Sequence, residues 1–346
     1  MKILIEEGFQ NKELEKFLTK CKYSLIYNNT GFLNLISKHL GSKFYWILAY
    51  EKSSIVGALP FCVKDGPLGK VYNSLSYFGS NGGPLLIENN HDIKLKLINE
   101  FFENAKINNS CSATLITNPF ENDLNLYDKN IDFDFQDSRI SQIKDLTNLN
   151  NKEDLIASFH NPRPRNIRKA IKEGIVIKQS KSVSSMDFLY KTHVDNISKI
   201  GGLTKKKNFF NLIYKYIDDE NWMIYQAFLK DKPIAALLVF HNFNVVEYFT
   251  PCVLNDYRKF QPLALIIYEA MLDAMKNKID YWNWGGTWNT QSGVYEFKKK
   301  WGNIENIYKY YVKVFNKTVF NYNVDYFLNL YQGFYVLPFN NLNAIK

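Results

Sequence analysis

Cysteine is scarce in this sequence, and no cysteine lies in a pattern that would indicate metal binding or redox chemistry. The four cysteines are far apart, and none forms a CxxC pair or has a histidine at zinc-ligand spacing: Cys21, Cys62, Cys111 and Cys252. Scattered single cysteines in apolar surroundings are typical of buried thiols in a reducing compartment. We therefore expect no metal site.

Signals for export or membrane insertion are also lacking. The first ten residues contain Glu6 and Glu7 and lack a basic region followed by an apolar stretch, so they do not resemble a signal peptide. No run approaches the roughly 18 uninterrupted apolar residues that a membrane-spanning helix needs. We expect a cytoplasmic protein and leave open a peripheral contact with the inner membrane face.

Two further classes of function find no support in the sequence. None of the five histidines accompanies a GxSxG-type nucleophile motif, which argues against a covalent Ser-His or Cys-His mechanism. The densest basic clusters, 205–207 and 298–300, are three residues each, too short for a nucleic-acid-binding arm, and we expect no DNA partner. The net charge of +9 still permits an anionic partner, such as a nucleotide-linked sugar, CoA, tRNA or a lipid headgroup.

An internal repeat is the most informative positive feature. Residues 46–61 and 222–240 both begin with Trp, pass through an apolar strand into a short polar turn, and return as a strand ending in Phe. Each predicts a β-hairpin. A chain of 346 residues suits two domains, and two similar hairpins far apart in sequence favour a duplicated domain.

The order of the predicted elements is the same around both hairpins. Helices over 31–40 and 185–200 precede them, and helices over 92–107 and Pro262–Lys276 follow, each leading into a further strand. This order resembles the GNAT acyltransferase core. It predicts an α/β (α+β) fold of two tandem GNAT-like domains, each a mixed twisted sheet flanked by helices. We expect a first domain over 1–145 on the acceptor side, a second over 146–316 with the transfer site, and an aromatic extension over 317–346.

Three segments in consistent order are similar to the FemAB family of peptidoglycan-bridge aminoacyltransferases, in its short form without a coiled-coil arm. They are Val56–Phe61 with 74–77 and 82–84, then 166–170, then the stretch from Tyr281 to Gly302. The third segment is the most specific: a strand ends in Gly285-Gly286-Thr287 and is followed by Phe297-Lys298.

The resemblance implies catalytic roles for two side chains. Lys298 corresponds to the family's lysine near the transfer site, where a cation stabilises the tetrahedral oxyanion of acyl transfer. Tyr248 lies where the family has a tunnel tyrosine. The alternatives are that Lys298 is one of three surface lysines, and that Tyr248 is an ordinary cross-strand aromatic.

The predicted substrate-binding residues include a basic helix face. Arg165, Arg168, Lys169 and Lys172 recur at helical spacing and would share one face, which could bind an anionic substrate or simply be solvated. The full predicted substrate-binding set is Phe297, Arg165, Arg168, Lys169, Lys199, Gly285, Gly286, Thr287, Tyr77 and Gly83.

The donor remains a choice between aminoacyl-tRNA and acyl-CoA, with no other cofactor required. GNAT enzymes hold the CoA pyrophosphate in a glycine-containing loop at a helix N-terminus, but the matching residues 258–264 contain no glycine, which favours aminoacyl-tRNA. We expect amide formation on a nucleotide- or lipid-linked sugar or peptide precursor of the cell envelope. The rivals are an acyl-CoA-dependent sugar N-acyltransferase of surface polysaccharide synthesis and a degenerate basic binding module.

Overall fold

The computed structural model describes residues 1–288 and 291–341 and has a mixed α/β architecture. Its strands are β1 Lys2–Glu7, β2 Lys43–Glu51, β3 Ser54–Lys64, β4 Lys70–Ser74, β5 Leu85–Leu86, β6 Ser110–Ile116, β7 Phe135–Asp145, β8 Val176–Ser180, β9 Trp222–Leu229, β10 Lys232–Asn242, β11 Val245–Val253, β12 Tyr281–Thr287 and β13 Ile304–Val314.

The helices surround these strands and confirm the predicted helical segments to within a few residues. They are α1 Lys12–Lys20, α2 Thr30–Leu40, α3 His91–Ile107, α4 Leu124–Asn130, α5 Lys152–Ala157, α6 Arg163–Lys172, α7 Val183–Ser198, α8 Lys207–Tyr216, α9 Pro262–Lys276, α10 Ser292–Lys299 and α11 Val324–Leu330. Within the described ranges, none of these helices combines the length and apolarity that crossing a bilayer requires.

The chain divides into two compact units. Unit 1 comprises Met1–Ile140 and the described residues from Asn306 onward, and unit 2 comprises the described residues of Ser141–Glu305. The predicted second domain ended later, at residue 316. The units differ from that prediction because residues 310–314 of β13 pair with β6, with Tyr310 opposite Ile116, so the chain returns to unit 1 after α10.

Unit 1 is built around the first predicted hairpin. Strands β2 and β3 pair antiparallel from Lys43↔Val63 to Glu51↔Ser54, and the sheet order is β1-β2-β3-β4-β6-β13, with β5 on β3. Leu97, Ile98 and Phe101 of α3 are fully buried against this sheet. Burial of that apolar helix face is the main local source of stability.

Unit 2 repeats the arrangement around the second hairpin. In sheet order its strands are β7-β12-β11-β10-β9-β8, and β11 and β12 run parallel, with Glu247 opposite Asn283. The turn between β9 and β10 has positive φ at both central residues, Lys230 (49°) and Asp231 (62°), as a type I′ turn requires. Helix α9 and Trp282 lie in its core. The predicted fold class and both hairpins are confirmed.

The aromatic C-terminal extension packs on unit 1. The fully buried Tyr331 donates its hydroxyl to Gly69 O (2.9 Å) and accepts from Leu68 N (3.0 Å). Tyr335 N donates to Asn73 Oδ1 at 2.6 Å. These hydrogen bonds join two tyrosines to β4 and to the segment just before it. The described part of the extension is therefore a structural element of unit 1.

Candidate active site

A buried lysine closes the turn at the carboxyl end of β12. Lys298, in the last turn of α10, is only 6% exposed. Its Nζ donates to Gly285 O at 3.1 Å, to Gly286 O at 3.2 Å and to Thr287 Oγ1 at 2.9 Å. An ammonium group has three N–H donors, so this one is fully used by two carbonyls and a hydroxyl. The alternative that Lys298 is a surface lysine is wrong, whereas the neighbouring Lys299 is exposed.

The environment of Lys298 changes its acidity. Burial lowers the pKa of Lys298 to about 8, and the negative charge of Glu247 partly offsets that effect. Desolvation disfavours an ammonium that faces only neutral oxygens. The group is therefore a cation at neutral pH that can lose its proton within the accessible pH range.

A carboxylate and an amide support the same turn. Glu247 on β11 is 3% exposed, and its Oε2 accepts from Asn283 Nδ2 at 2.8 Å. Asn283 Oδ1 in turn accepts from Gly285 N at 3.0 Å. Gly285 has φ +67°, which favours glycine. The Gly285–Thr287 turn is thus held by Asn283 at its N–H and by Lys298 at its carbonyls.

Aromatic side chains form one wall beside this turn. Trp284 contacts Phe297 (6.3 Å between ring centroids), Trp301 (5.5 Å) and Tyr248 (4.9 Å). Burial raises the pKa of Tyr248 well above its ordinary range, and nearby Arg163 offsets this only in part. Tyr248 is therefore a neutral phenol that could donate a hydrogen bond but would not act as a base.

Arg163, at the start of α6, lies against this aromatic wall. Its guanidinium carbon is 4.2 Å from the centroid of the Phe297 ring, and Nη2 donates to Phe297 O at 2.8 Å. The residue is 7% exposed, and among the described residues its Nε has no hydrogen-bond partner. A buried guanidinium N–H without an acceptor is costly, so Arg163 has capacity for one more acceptor.

Arg163 lines a cavity of about 180 Å³ at the N-terminus of α9, together with Arg258 and Phe297. The first turn of α9 has few free N–H groups, since Pro262 has none and Ala264 N donates to Gln261 O at 3.1 Å. Residues 258–264 contain no glycine that would allow a backbone loop to bind a pyrophosphate. At the same place, the positive charge of the cavity comes from arginine side chains.

The other predicted site residues are more dispersed. Arg165, Arg168 and Lys169 lie exposed on α6, and Lys199 is exposed and pairs with Asp195 at 2.9 Å. Tyr77 and Gly83 belong to unit 1; Tyr77 N donates to Gly333 O, and a Cβ at Gly83 would lie 3.1 Å from Asn118 N. The roles assigned to all these residues remain predictions.

Sequence reasoning missed Arg163, Glu247 and Asn283 as site residues. In the sequence, Arg163 lies between two prolines just before the basic residues of α6. Nothing there indicated that it would be buried while its basic neighbours are exposed. Asn283 had a weak signal, because it is a polar residue between Trp282 and Trp284 in a buried strand. Its pairing with Glu247 depends on the parallel register of β11 and β12.

Unit 1 contains a separate cavity of about 530 Å³. Lys94 and Glu121 form an ion pair in its wall, and the rings of Tyr23 and Phe120 stack at 5.1 Å. Within residues 1–288 and 291–341, no three His, Cys, Asp or Glu side chains are grouped so that they could hold a metal ion.

One segment of the chain matches a known protein family. Residues 203–320 match the sequence model of the FemAB family, and this segment contains Lys298, Phe297 and Tyr248. The resemblance to that family is confirmed. Among curated proteins no sequence matches the chain.

Solved structures share the fold at low sequence identity. FemX superposes with a TM-score of 0.74 at 14% identity, covering 93% of this chain and 99% of FemX. The C-terminal domain of a candidate lysylphosphatidylglycerol synthetase from Agrobacterium fabrum gives 0.57 at 10% identity, covering 94% and 98%. A tandem GNAT protein from the clavulanic acid biosynthesis pathway gives 0.52 at 9% identity, covering 89% and 98%. The fold is therefore that of tandem GNAT proteins.

Proposed function

From its FemAB-like sequence and tandem GNAT fold, we propose that this protein transfers an acyl or aminoacyl group to an amine of a cell-envelope precursor. The observation that carries the proposal is the buried ammonium of Lys298 at the end of β12, inside the segment that matches the FemAB family. The peptidoglycan precursor is the first candidate acceptor, and the relationship to a lysylphosphatidylglycerol synthetase adds a lipid-linked acceptor.

The chemistry follows from the geometry of the turn. The acceptor nitrogen attacks the carbonyl carbon of the donor, a C–N bond forms, and the carbonyl oxygen becomes an oxyanion. Lys298 stabilises this charge from a buried position, where a cation interacts far more strongly than in bulk solvent. One of its three present acceptors then yields to the oxyanion. The C–O bond of an aminoacyl ester or the C–S bond of a thioester breaks, and the proton lost by the amine goes to the leaving group.

The donor carries phosphate in either form, tRNA or CoA. The cavity at α9, with Arg163 and Arg258 in its wall, supports binding of such a group, because guanidinium forks suit phosphate oxygens. Arg258 is exposed, so Arg258→Ala should leave the fold intact. We expect that variant to raise the KM for the donor and to change kcat little.

Replacing Lys298 tests the proposal directly. With aminoacyl-tRNA or acyl-CoA as donor and UDP-linked muropeptide or amino-sugar precursors as acceptors, Lys298→Ala should lower kcat by roughly 10²–10³-fold. Lys299→Ala, which changes the exposed neighbour, is the matched control and should stay near wild type. Full activity of Lys298→Ala would refute the role of Lys298 in transfer, whereas no transfer by the wild type with any of these donors and acceptors would favour the binding module.

The donor is distinguished by ligand-induced stabilisation. A ligand at about 100 times its Kd adds roughly 2.7 kcal/mol to the free energy of unfolding, which is several degrees in Tm. A shift with CoA and none with tRNA would favour the sugar N-acyltransferase. The reverse result would favour aminoacyl transfer.

A further inference from the structure

The carboxylate of Glu247 is buried in a strand at a position where a neutral side chain would be less costly. It is 3% exposed and faces Asn283 across the parallel pair of β11 and β12. Two residues further along β11, the pairing with β10 shifts register between Leu238 and Val239, which leaves a bulge at Phe249. Bulges are common beside active sites, where they redirect side chains. A charge buried here therefore calls for a compensating charge or a function.

The positive charge that acts on Glu247 also contacts Gly285. A Cβ at Gly285 would lie 3.4 Å from Glu247 Oε1, so the carboxylate packs against the bare Cα of that glycine. The carbonyl of the same residue accepts from Lys298 Nζ. Glu247 and Lys298 thus both act on Gly285, Glu247 through Asn283 and Lys298 directly.

Several other ionisable groups occur on the elements around Lys298. On the described elements packed near α10 they are Tyr248 on β11, Arg163 on α6, Lys144 on β7 and Glu305 on β13. Glu305 accepts from the Tyr295 hydroxyl at 3.0 Å on the exposed side of α10. Glu247 is the carboxylate whose charge acts on Lys298, raising its pKa.

We propose that Glu247 is a positioning residue of the transfer site: it fixes the Gly285–Thr287 turn through Asn283 and places a negative charge at the same turn that the ammonium of Lys298 contacts. This inference rests on the proposed role of Lys298 in transfer. The inference adds that Glu247 sets the alkaline limit of the pH range in which the enzyme is active, although Glu247 does not touch the reacting atoms. A merely structural residue would change stability and leave that range unchanged.

The test is the alkaline limb of the pH–kcat profile. Glu247→Gln keeps the shape and the acceptor for Asn283 but removes the charge. We expect its alkaline limb to move to lower pH by roughly one unit, with KM for both substrates unchanged. Glu247→Asp keeps the charge and should hold the limb at the wild-type pH even where the shorter side chain slows turnover. Asp273→Asn, which neutralises a carboxylate on α9, is the control and should leave the limb in place.

A measurement independent of activity separates this inference from the proposed function. The titration of Lys298 can be followed by NMR in protein labelled at lysine Cε, its signal assigned by its loss in Lys298→Met. A lower Lys298 titration midpoint in Glu247→Gln than in the wild type would support the inference even if the transfer assay failed. Equal midpoints in the two folded proteins, or an unmoved alkaline limb, would overturn it.

Discussion

Lys94, Lys144 and Lys298 are almost fully buried, and Lys94 in unit 1 and Lys298 in unit 2 have different surroundings. Lys94 on α3 is 4% exposed and Lys298 on α10 is 6% exposed. Lys94 forms an ion pair with Glu121, and Asp123 Oδ2 lies 3.7 Å from its Nζ. Lys298 instead meets two carbonyls and a hydroxyl.

The difference distinguishes the ion-paired Lys94 from Lys298, the candidate catalytic lysine; Lys144, which also donates to carbonyls, lies outside the Gly285–Thr287 turn. The charge of Lys94 is neutralised by the carboxylate of Glu121, which it contacts directly. The charge of Lys298 is solvated by neutral dipoles and keeps a lowered pKa of about 8. Such a cation can stabilise negative charge that develops on a substrate. The charge of an ion-paired cation is already neutralised by its carboxylate partner. Equal burial of the same residue type therefore does not imply the same role.

The largest effect on stability should come from breaking the ion pair in unit 1. Lys94→Met leaves the carboxylate of Glu121 buried without its cation, and we expect a loss of about 3–5 kcal/mol in the free energy of unfolding. Urea denaturation measures this loss, with the exposed Lys96→Met as control on the same helix. Adding Glu121→Gln to Lys94→Met should recover part of the stability. A loss below about 1 kcal/mol would remove the distinction between the two lysines.

Lys298 should reveal its lowered pKa in the pH dependence of stability. Between pH about 8 and the unfolded value of 10.5, the native state has released this proton and the unfolded state still binds it. The free energy of unfolding of the wild type, relative to Lys298→Met, should therefore rise with pH across this window, by about 1–3 kcal/mol. A difference that is flat between pH 8 and 10.5 would show that Lys298 titrates normally.

Another buried base, His193 in unit 2, extends the comparison to acid pH. Burial, together with the charge of Lys205, lowers the pKa of His193 to about 4. Between pH 6.5 and about 4 the unfolded state binds more protons, so stability falls as the pH falls through this range. We expect His193→Gln to abolish roughly 1–2 kcal/mol of that loss. An unchanged acid slope in urea denaturation would contradict the assignment.

The smallest effects should come from removing single hydroxyls. Tyr127 donates to Glu121 Oε2 at 2.5 Å beside Lys94, and Thr287 accepts from Lys298. Tyr127→Phe and Thr287→Val should each cost about 1 kcal/mol in the free energy of unfolding. In the transfer assay only Thr287→Val should change kcat. An equal effect of both on kcat would mean that activity follows overall stability.

Local patterns in the sequence predicted the elements well because local physics determines them. Helix α9 has the predicted bounds Pro262–Lys276, since proline favours its first turn and an apolar face continues behind it. The hairpin turns carry polar residues between two apolar strands, and in both hairpins the two strands pair antiparallel across that turn. The Gly285-Gly286-Thr287 turn and Lys298 were identified through the family resemblance, and the structure brings them into contact.

Long-range pairing decided the rest. Nothing in the sequence of β13 indicates that it pairs with β6, almost two hundred residues earlier, so the return of the chain to unit 1 was not predictable. The burial of Arg163 among the exposed basic residues of α6 depends on the rings of Phe297 and Trp301, which come from another part of the chain. The sequence by itself therefore determined the elements, their duplication and the candidate lysine. Only the tertiary structure decided which charges are buried and what faces them, because desolvation and hydrogen bonding depend on neighbours that sequence distance does not reveal.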